Sequence, residues 1–347
     1  MEAYEELPDS DKDNIIPLVA LRPWLTSKTI DKAIGRVQKS VGNRQWFVDI
    51  DVEDLFSDHN KDKSSESRTA LKNCCSPLGG YSDYYELVGQ IEKAIPVLRL
   101  EAINSIDDQM VHVKRLSRGF AVRIRVSELS SFEFSEIIRR LSDHDCRNGL
   151  MIIDRGDLPR GSLASTTVAE MVKLVNMAST ALPHISIAVS STSFPYDFKD
   201  ISDGEQTIYE RQLYFKISQH CDCSLIYSDW ASARQKTLSG GAGLPPPRVD
   251  YPLRNEWKFK RRTIESNDDK DDAYVSIARE LMKEEYWQKN VRVWGTQMIE
   301  KTAAEDPYGI YHAGKATAVR INIHLHTQLH YDVSELGTVD TDEEWVD

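Results

Sequence analysis

Gly119-Phe-Ala-Val-Arg-Ile-Arg-Val126 alternates two kinds of side chain with a period of two. In an extended chain Val122, Ile124 and Val126 point one way, and Ala121, Arg123 and Arg125 the other. Helical patterns flank the stretch on both sides, so the aliphatic face is expected under helices and the arginine face in an enclosed polar space. Several other strand candidates carry charge in the same alternating manner, which predicts a barrel whose mouth is lined with charge.

Upstream, the apolar run Ile15-Ile-Pro-Leu-Val-Ala-Leu-Arg-Pro23 reads as a first strand buried on both sides. Ile30, Ile34, Val37 and Val41 predict a helix over 29–41, stopped by Gly42 and Asn43. Trp46-Phe-Val-Asp-Ile-Asp-Val52 is a second strand with Asp49 and Asp51 toward its end. Residues 56–83 are polar and predict a long loop, followed by a helix over 83–93. Ile95-Pro-Val-Leu-Arg-Leu-Glu101 is a third strand with Arg99 and Glu101 on one face, and Asn104 is the expected N-cap of a helix carrying Ile106, Met110, Val113 and Leu116.

Downstream, Ser130 and Glu133 form a capping box ahead of the stripe Phe134, Ile137, Ile138 and Leu141. Strands are expected at 149–155, 184–190, 223–229 and 248–251, the last followed by a hairpin extension at 256–260. Helices are expected at 165–180, 205–218, 273–286 and 291–304, and 316–331 as strand or extended packing.

Seven or eight short strands separated by helices call for a parallel sheet. The fold class expected is α/β: a TIM-like (β/α)8 barrel, irregular at the last repeats, with additional C-terminal helices. An open doubly wound sheet is the competitor, disfavoured by the inward charges and by the lack of a Gly-rich dinucleotide turn. The expected organisation is an acidic lead-in over 1–14, a single barrel domain over 15–333 with its C-terminal extension at about 273–333, and an acidic tail over 334–347.

The 347 residues carry a net charge of −12, which argues against general nucleic-acid binding. No apolar run approaches the roughly 20 residues of a membrane span and the N-terminus is acidic, so a cytoplasmic protein is expected, with no membrane partner. Five cysteines without paired CxxC spacing read as reduced thiols.

Arg22, Asp49, Asp51, Arg99, Glu101, Arg123, Arg125 and Asp154 are expected to converge at the barrel mouth, four of each sign. They are either a structural ion network or a binding site. As a site, Arg22, Arg99, Arg123 and Arg125, with Tyr227 and Asp229, would hold an anion such as a phosphate-bearing small molecule or nucleotide. Asp49, Asp51, Glu101 and Asp154 are the candidates for a catalytic base. Their neighbouring arginines compete with any cation, so neither metal nor cofactor is expected.

Ser239-Gly-Gly-Ala-Gly243 is a weak phosphate-seat candidate and reads better as a surface loop. A zinc site at His324, His326 and His330 would need ligands from elsewhere; surface histidines are the simpler reading, and Cys221 and Cys223 beside His220 take the same discount. Ser190, Ser191 and Ser193 lack a nucleophile elbow.

Ile16-Pro-Leu with Arg22-Pro, Phe47-Val-Asp-Ile-Asp51, Pro96-Val, Arg123-Ile-Arg125, Ile153-Asp154, Ser193-Phe-Pro195, Tyr227-Ser-Asp229 and Asn322-Ile-His-Leu325, in this order, resemble the phage-type beta-protein family. The resemblance covers most of residues 15–331. It departs where a paired His-His is expected in the last motif and a Gly before the Asp of the seventh strand. It implies a place in phage–host conflict and carries over no catalytic residue. The expected function is a non-catalytic recognition component that binds a protein partner or small anionic ligand at the mouth. The alternative is an enzyme acting on a phosphorylated or nucleotide substrate there; mimicry of DNA by an acidic protein is a more remote third.

Overall fold

The strands follow the alternating runs of the sequence closely, and most of the helices fall between them. The computed structural model describes residues 1–23, 29–56, 66–158, 163–195, 204–233, 246–266 and 269–332. The strands are β1 (Leu18–Leu21), β2 (Trp46–Ile50), β3 (Ala94–Pro96), β4 (Phe120–Arg125), β5 (Gly149–Asp157), β6 (Ser186–Thr192), β7 (Gly204–Thr207), β8 (Leu225–Tyr227), β9 (Arg248–Pro252) and β10 (Glu256–Arg261). Two compact units contain them, one made of residues 16–191 and 210–229, the other of residues 1–15, 192–209 and 230–347. No helix among the described residues is long and apolar enough to cross a membrane.

The first unit is the α/β protein anticipated from the sequence. β1, β2 and β3 pair in parallel, as do β4, β5, β6 and β8. A parallel bridge between Val97 and Ala121, with Leu98 N donating to Ala121 O at 2.8 Å, joins the two runs. Apart from β7, which belongs to the other sheet, strand order in space therefore follows strand order in sequence, as crossovers between parallel neighbours produce. Val122 and Ile124 are buried, and the stripe Phe134, Ile137, Ile138 and Leu141 is buried in full. Its helix, Ser131–Ser142, carries the complete capping box: Ser130 Oγ accepts from Glu133 N, and the Glu133 carboxylate accepts from Ser130 N. Gly119 enters β4 at φ +83°, where a Cβ would stand 2.3 Å from Asn148 O; only glycine fits there.

The opposite face of the sheet holds a second apolar cluster of Phe47, Ile95, Val97, Ala121, Ile152 and Ala188, flanked by Leu18 and Leu150. Each of these residues belongs to a strand or to the Val97–Ala121 bridge, and none to a helix. Ladder closure of the seven strands into a ring is not seen among the described residues.

The second unit holds the antiparallel sheet β7-β10-β9. Only three residues join β9 to β10, and a connection that short permits only an antiparallel hairpin. The core here is aromatic and helical: Tyr251, Tyr274, Trp287, Trp294, Met298 and Val319 are among its buried residues. Gly295 lets the helix Trp294–Ala303 approach the helix Ala313–Leu329, since a Cβ would lie 2.6 Å from Ile323 Cγ1 and 2.8 Å from Val319 O.

Local readings are corrected in four places. Residues 316–331 are not extended: Ala313–Leu329 is an α-helix capped by His312, whose Nδ1 accepts from Lys315 N. Ten of its residues are buried, and burial on several sides erases the 3.6-residue period that would have revealed it. The stretch 56–83 is not one loop, because Glu66–Cys74 is helical and anchored by buried Arg68, which donates to Leu55 O and, at 3.2 Å, to Asp54 O. Asn104 does not cap a helix; it sits inside the 3₁₀ turn Ile103–Ser105. The span 205–218 splits into β7 and the helix Tyr209–Ser218. The N-terminal lead-in folds as two short helices, Glu2–Glu5 and Asp9–Lys12, with Ala3, Tyr4 and Asp11 buried. The Gly-rich stretch 239–243 and the acidic tail from 334 lie outside the described residues.

Candidate functional site

Extended chain past β3 brings Arg99 beneath the end of β2. Gln109, on the helix Ile106–Leu116 and fully buried, fixes that stretch of backbone: its Nε2 donates to Arg99 O and its Oε1 accepts from Arg99 N, both at 2.8 Å. Ser105 Oγ and the Tyr85 hydroxyl satisfy the rest of the Gln109 amide. Nothing in the local pattern marks Gln109, because its partners come from tertiary packing. Beside Tyr85, the buried Tyr84 hydroxyl accepts from Val97 N at 2.9 Å and lies 2.7 Å from Val48 O, bridging the ends of β2 and β3.

Arg99 itself is 3% exposed, with Nη1 on Asp49 Oδ1 at 2.5 Å and Nη2 on Glu101 Oε1. Burial disfavours the Arg99 charge, but Asp49 and Glu101 outweigh it and hold the guanidinium pKa above its ordinary value. Next along the sheet, Arg123 Nε and Nη2 both reach Asp154 Oδ2, at 2.8 and 2.5 Å. Asp154 stands opposite Arg125 in the ladder, so this pair is diagonal. Gly156 N donates to the other Asp154 oxygen at 3.0 Å. Arg125 turns instead to Glu128 at 3.0 Å and Glu53 at 3.3 Å, all three side chains between a third and about half exposed.

The remaining sequence candidates fall into smaller groups. Asp51 is a cap, accepting Asp54 N at 3.0 Å at the start of the short helix Val52–Phe56. Arg22 is exposed at the end of β1. Tyr227 donates to Asp229 Oδ2 at 2.7 Å, and the Arg211 guanidinium lies 3.5 Å from its ring centre. Burial, helped by the Asp229 carboxylate, pushes the Tyr227 phenol well above its usual pKa. Among the strand candidates, then, Asp49, Arg99 and Glu101 form one group, Arg123 and Asp154 another, and Tyr227 and Asp229 a third.

In the second unit, Arg320 and Asp250, both nearly inaccessible, pair at 2.8 Å. Arg320 also donates to Ser232 O at 3.2 Å and stands 4.0 Å over the Phe194 ring, while Arg248 Nε lies 2.8 Å from Asp250 Oδ1. Asn322, in the last motif of the resemblance, accepts from Gly295 N and donates to Ala3 O, each at 2.9 Å. His324 is buried and stacks on Trp257, so it is no surface histidine. His326 and His330 both face Asp11. Burial works to raise the Asp11 pKa, but hydrogen bonds from the two imidazoles prevail and lower it. Among the described residues this is the one group of three side chains whose donor atoms lie close enough to share a metal ion, and His220, Cys221 and Cys223 form no such group. All five cysteines are free thiols.

A sequence-ordered parallel sheet with a salt-bridged polar end and a separate His/Asp cluster define an α/β protein of mixed helical and stranded units. The chain belongs to the Beta protein family, whose sequence model matches residues 1–330. It is 24% identical to Protein beta of Enterobacteria phage P4 over 351 residues, covering 99% of this chain and 94% of the phage protein. The resemblance carried by the dispersed motifs is thereby borne out. No solved structure matches the chain.

Proposed function

We propose that this protein is a non-catalytic recognition component of phage–host conflict, in which the parallel strands close into a TIM-like barrel and its polar mouth receives an anionic group. Family membership and the relationship to a phage protein support the setting. Closure is supported by the apolar cluster built from strand residues alone, the kind of filling found inside a barrel and unlike the helix-covered face of an open sheet.

One observation carries the recognition reading over the enzymatic one: every candidate base is already engaged. Asp49 and Glu101 are held by Arg99, Asp154 by Arg123 and Gly156 N, and Asp51 by the start of a helix. A carboxylate tied to a guanidinium or to a backbone N–H is held away from the reach of a substrate proton that a general base needs. Arg125 is the point of entry, because its partners Glu53 and Glu128 are about half exposed and a phosphate or partner carboxylate can displace them. Exposed Arg22 supplies a further cation just past the first strand.

A thermal-shift series with nucleotides and sugar phosphates, run on the wild type and on Arg125→Ala, tests the reading. Stabilisation in the wild type that the variant lacks is the expected result. Turnover of any of these compounds, or equal shifts in both proteins, would sink it.

A further inference from the structure

Arginines claim the carboxylates at the strand ends, but Asp11 is in a different position. It is 1% exposed, and among the described residues its side-chain partners are two imidazoles, His326 Nδ1 at 2.6 Å and His330 Nε2 at 2.9 Å. The three donor atoms all lie within 4.8 Å of one another, and the two rings are 4.6 Å apart. Among the described residues no guanidinium or ammonium stands against this carboxylate, unlike Asp49 beside Arg99 or Asp154 beside Arg123.

The spacing is that of a metal-binding helix. Two histidines four residues apart share one helical face, and here the face is the end of Ala313–Leu329 with His330 as its C-cap. Asp11 comes from the other end of the chain, and a nitrogen, nitrogen, oxygen set suits zinc-type ions. Asp11 and His326 are closed off, whereas the His330 side chain is 28% exposed, which leaves one side open to solvent.

We propose that Asp11, His326 and His330 bind one divalent transition ion of the zinc type, with solvent in the fourth position. Such an ion ties residues 1–15 to the C-terminal helix, in line with Glu2 to Lys315 at 3.0 Å and Ala3 to Asn322 at 2.9 Å. The competing arrangement is a purely hydrogen-bonded clasp in which each carboxylate oxygen accepts one ring N–H.

The full chain, stripped with a chelator and shown by circular dichroism to remain folded, is titrated with Zn²⁺ by calorimetry and with Co²⁺ by absorption. The wild type takes up about one equivalent, and the Co²⁺ adduct shows d–d bands without a thiolate charge-transfer band. His330→Gln, at a part-exposed position, and Asp11→Asn weaken binding on the order of 10–100-fold or more. Replacing Cys221 and Cys223 by serine leaves binding unchanged. Folded wild type that takes up no zinc, a His330→Gln protein that binds as tightly as wild type, or a thiolate band overturns the proposal.

Discussion

Each unit buries an arginine against an aspartate, yet the two pairs are built in different ways. Asp49 lies on β2 and Arg99 on the extended chain just past its parallel neighbour β3, with Glu101 as a third, half-exposed member. Arg320 lies on a helix and Asp250 on a β-strand 70 residues earlier, with Arg248 and the Phe194 ring completing the enclosure. The first is an alternation carried to the end of a strand; the second exists only because a helix packs on a sheet. Either way a buried charge is kept by a partner, and removing one member strands the other.

The sharpest test of the comparison is Asp250→Ala, which leaves Arg320 enclosed without its carboxylate. It should cost about 3–5 kcal/mol, measured by urea unfolding. Arg99→Met should cost less, about 2–3 kcal/mol, because Glu101 can turn to water and Asp49 keeps its bond from Ile50 N. Equal losses would break the distinction drawn here. Gln109→Leu should follow at about 1–3 kcal/mol, since it removes both partners of the Arg99 backbone. Glu128→Ala, which trims a half-exposed partner of Arg125, should change stability by no more than about 1 kcal/mol.

At neutral pH the thiols contribute no such difference; their effect appears only in alkali. Burial first, and neighbouring negative charge second, push Cys74 and Cys146 from 9.0 to about 11. Between those values the unfolded chain has released protons that the folded chain still holds, so stability falls as pH rises through this window. Alkylation of both thiols in the native protein should be slow at neutral pH and quicken as pH approaches 11. Rapid labelling at neutral pH would show that these parts of the first unit open readily.

Much of the parallel-sheet unit was legible because its strands alternate. Arg123 and Asp154, Asp49 and Arg99 were placed on one face by counting in twos, and the pairs formed are those that counting allows. The Ser130 box and the Phe134 to Leu141 stripe were legible for the same local reason. What counting could not supply was the outcome at each charge: Asp51 became a cap, and Arg125 turned away from the aspartate opposite to it.

The second unit was read less well. A helix buried on several sides carries no stripe, so 316–331 resembled a strand, although in the helix His324 and His326, two residues apart, share no face. His326 and His330 are neighbours only in a helix, and Asp11 joins them only because the chain's first residues dock on its last helix. Periodicity and local capping are properties of short stretches, so the sequence by itself determined the parallel α/β unit and its charged face. Which carboxylate meets which cation depends on contacts across the whole chain, and the tertiary structure alone decided Gln109 on the Arg99 backbone, the enclosure of Arg320 and the Asp11 cluster.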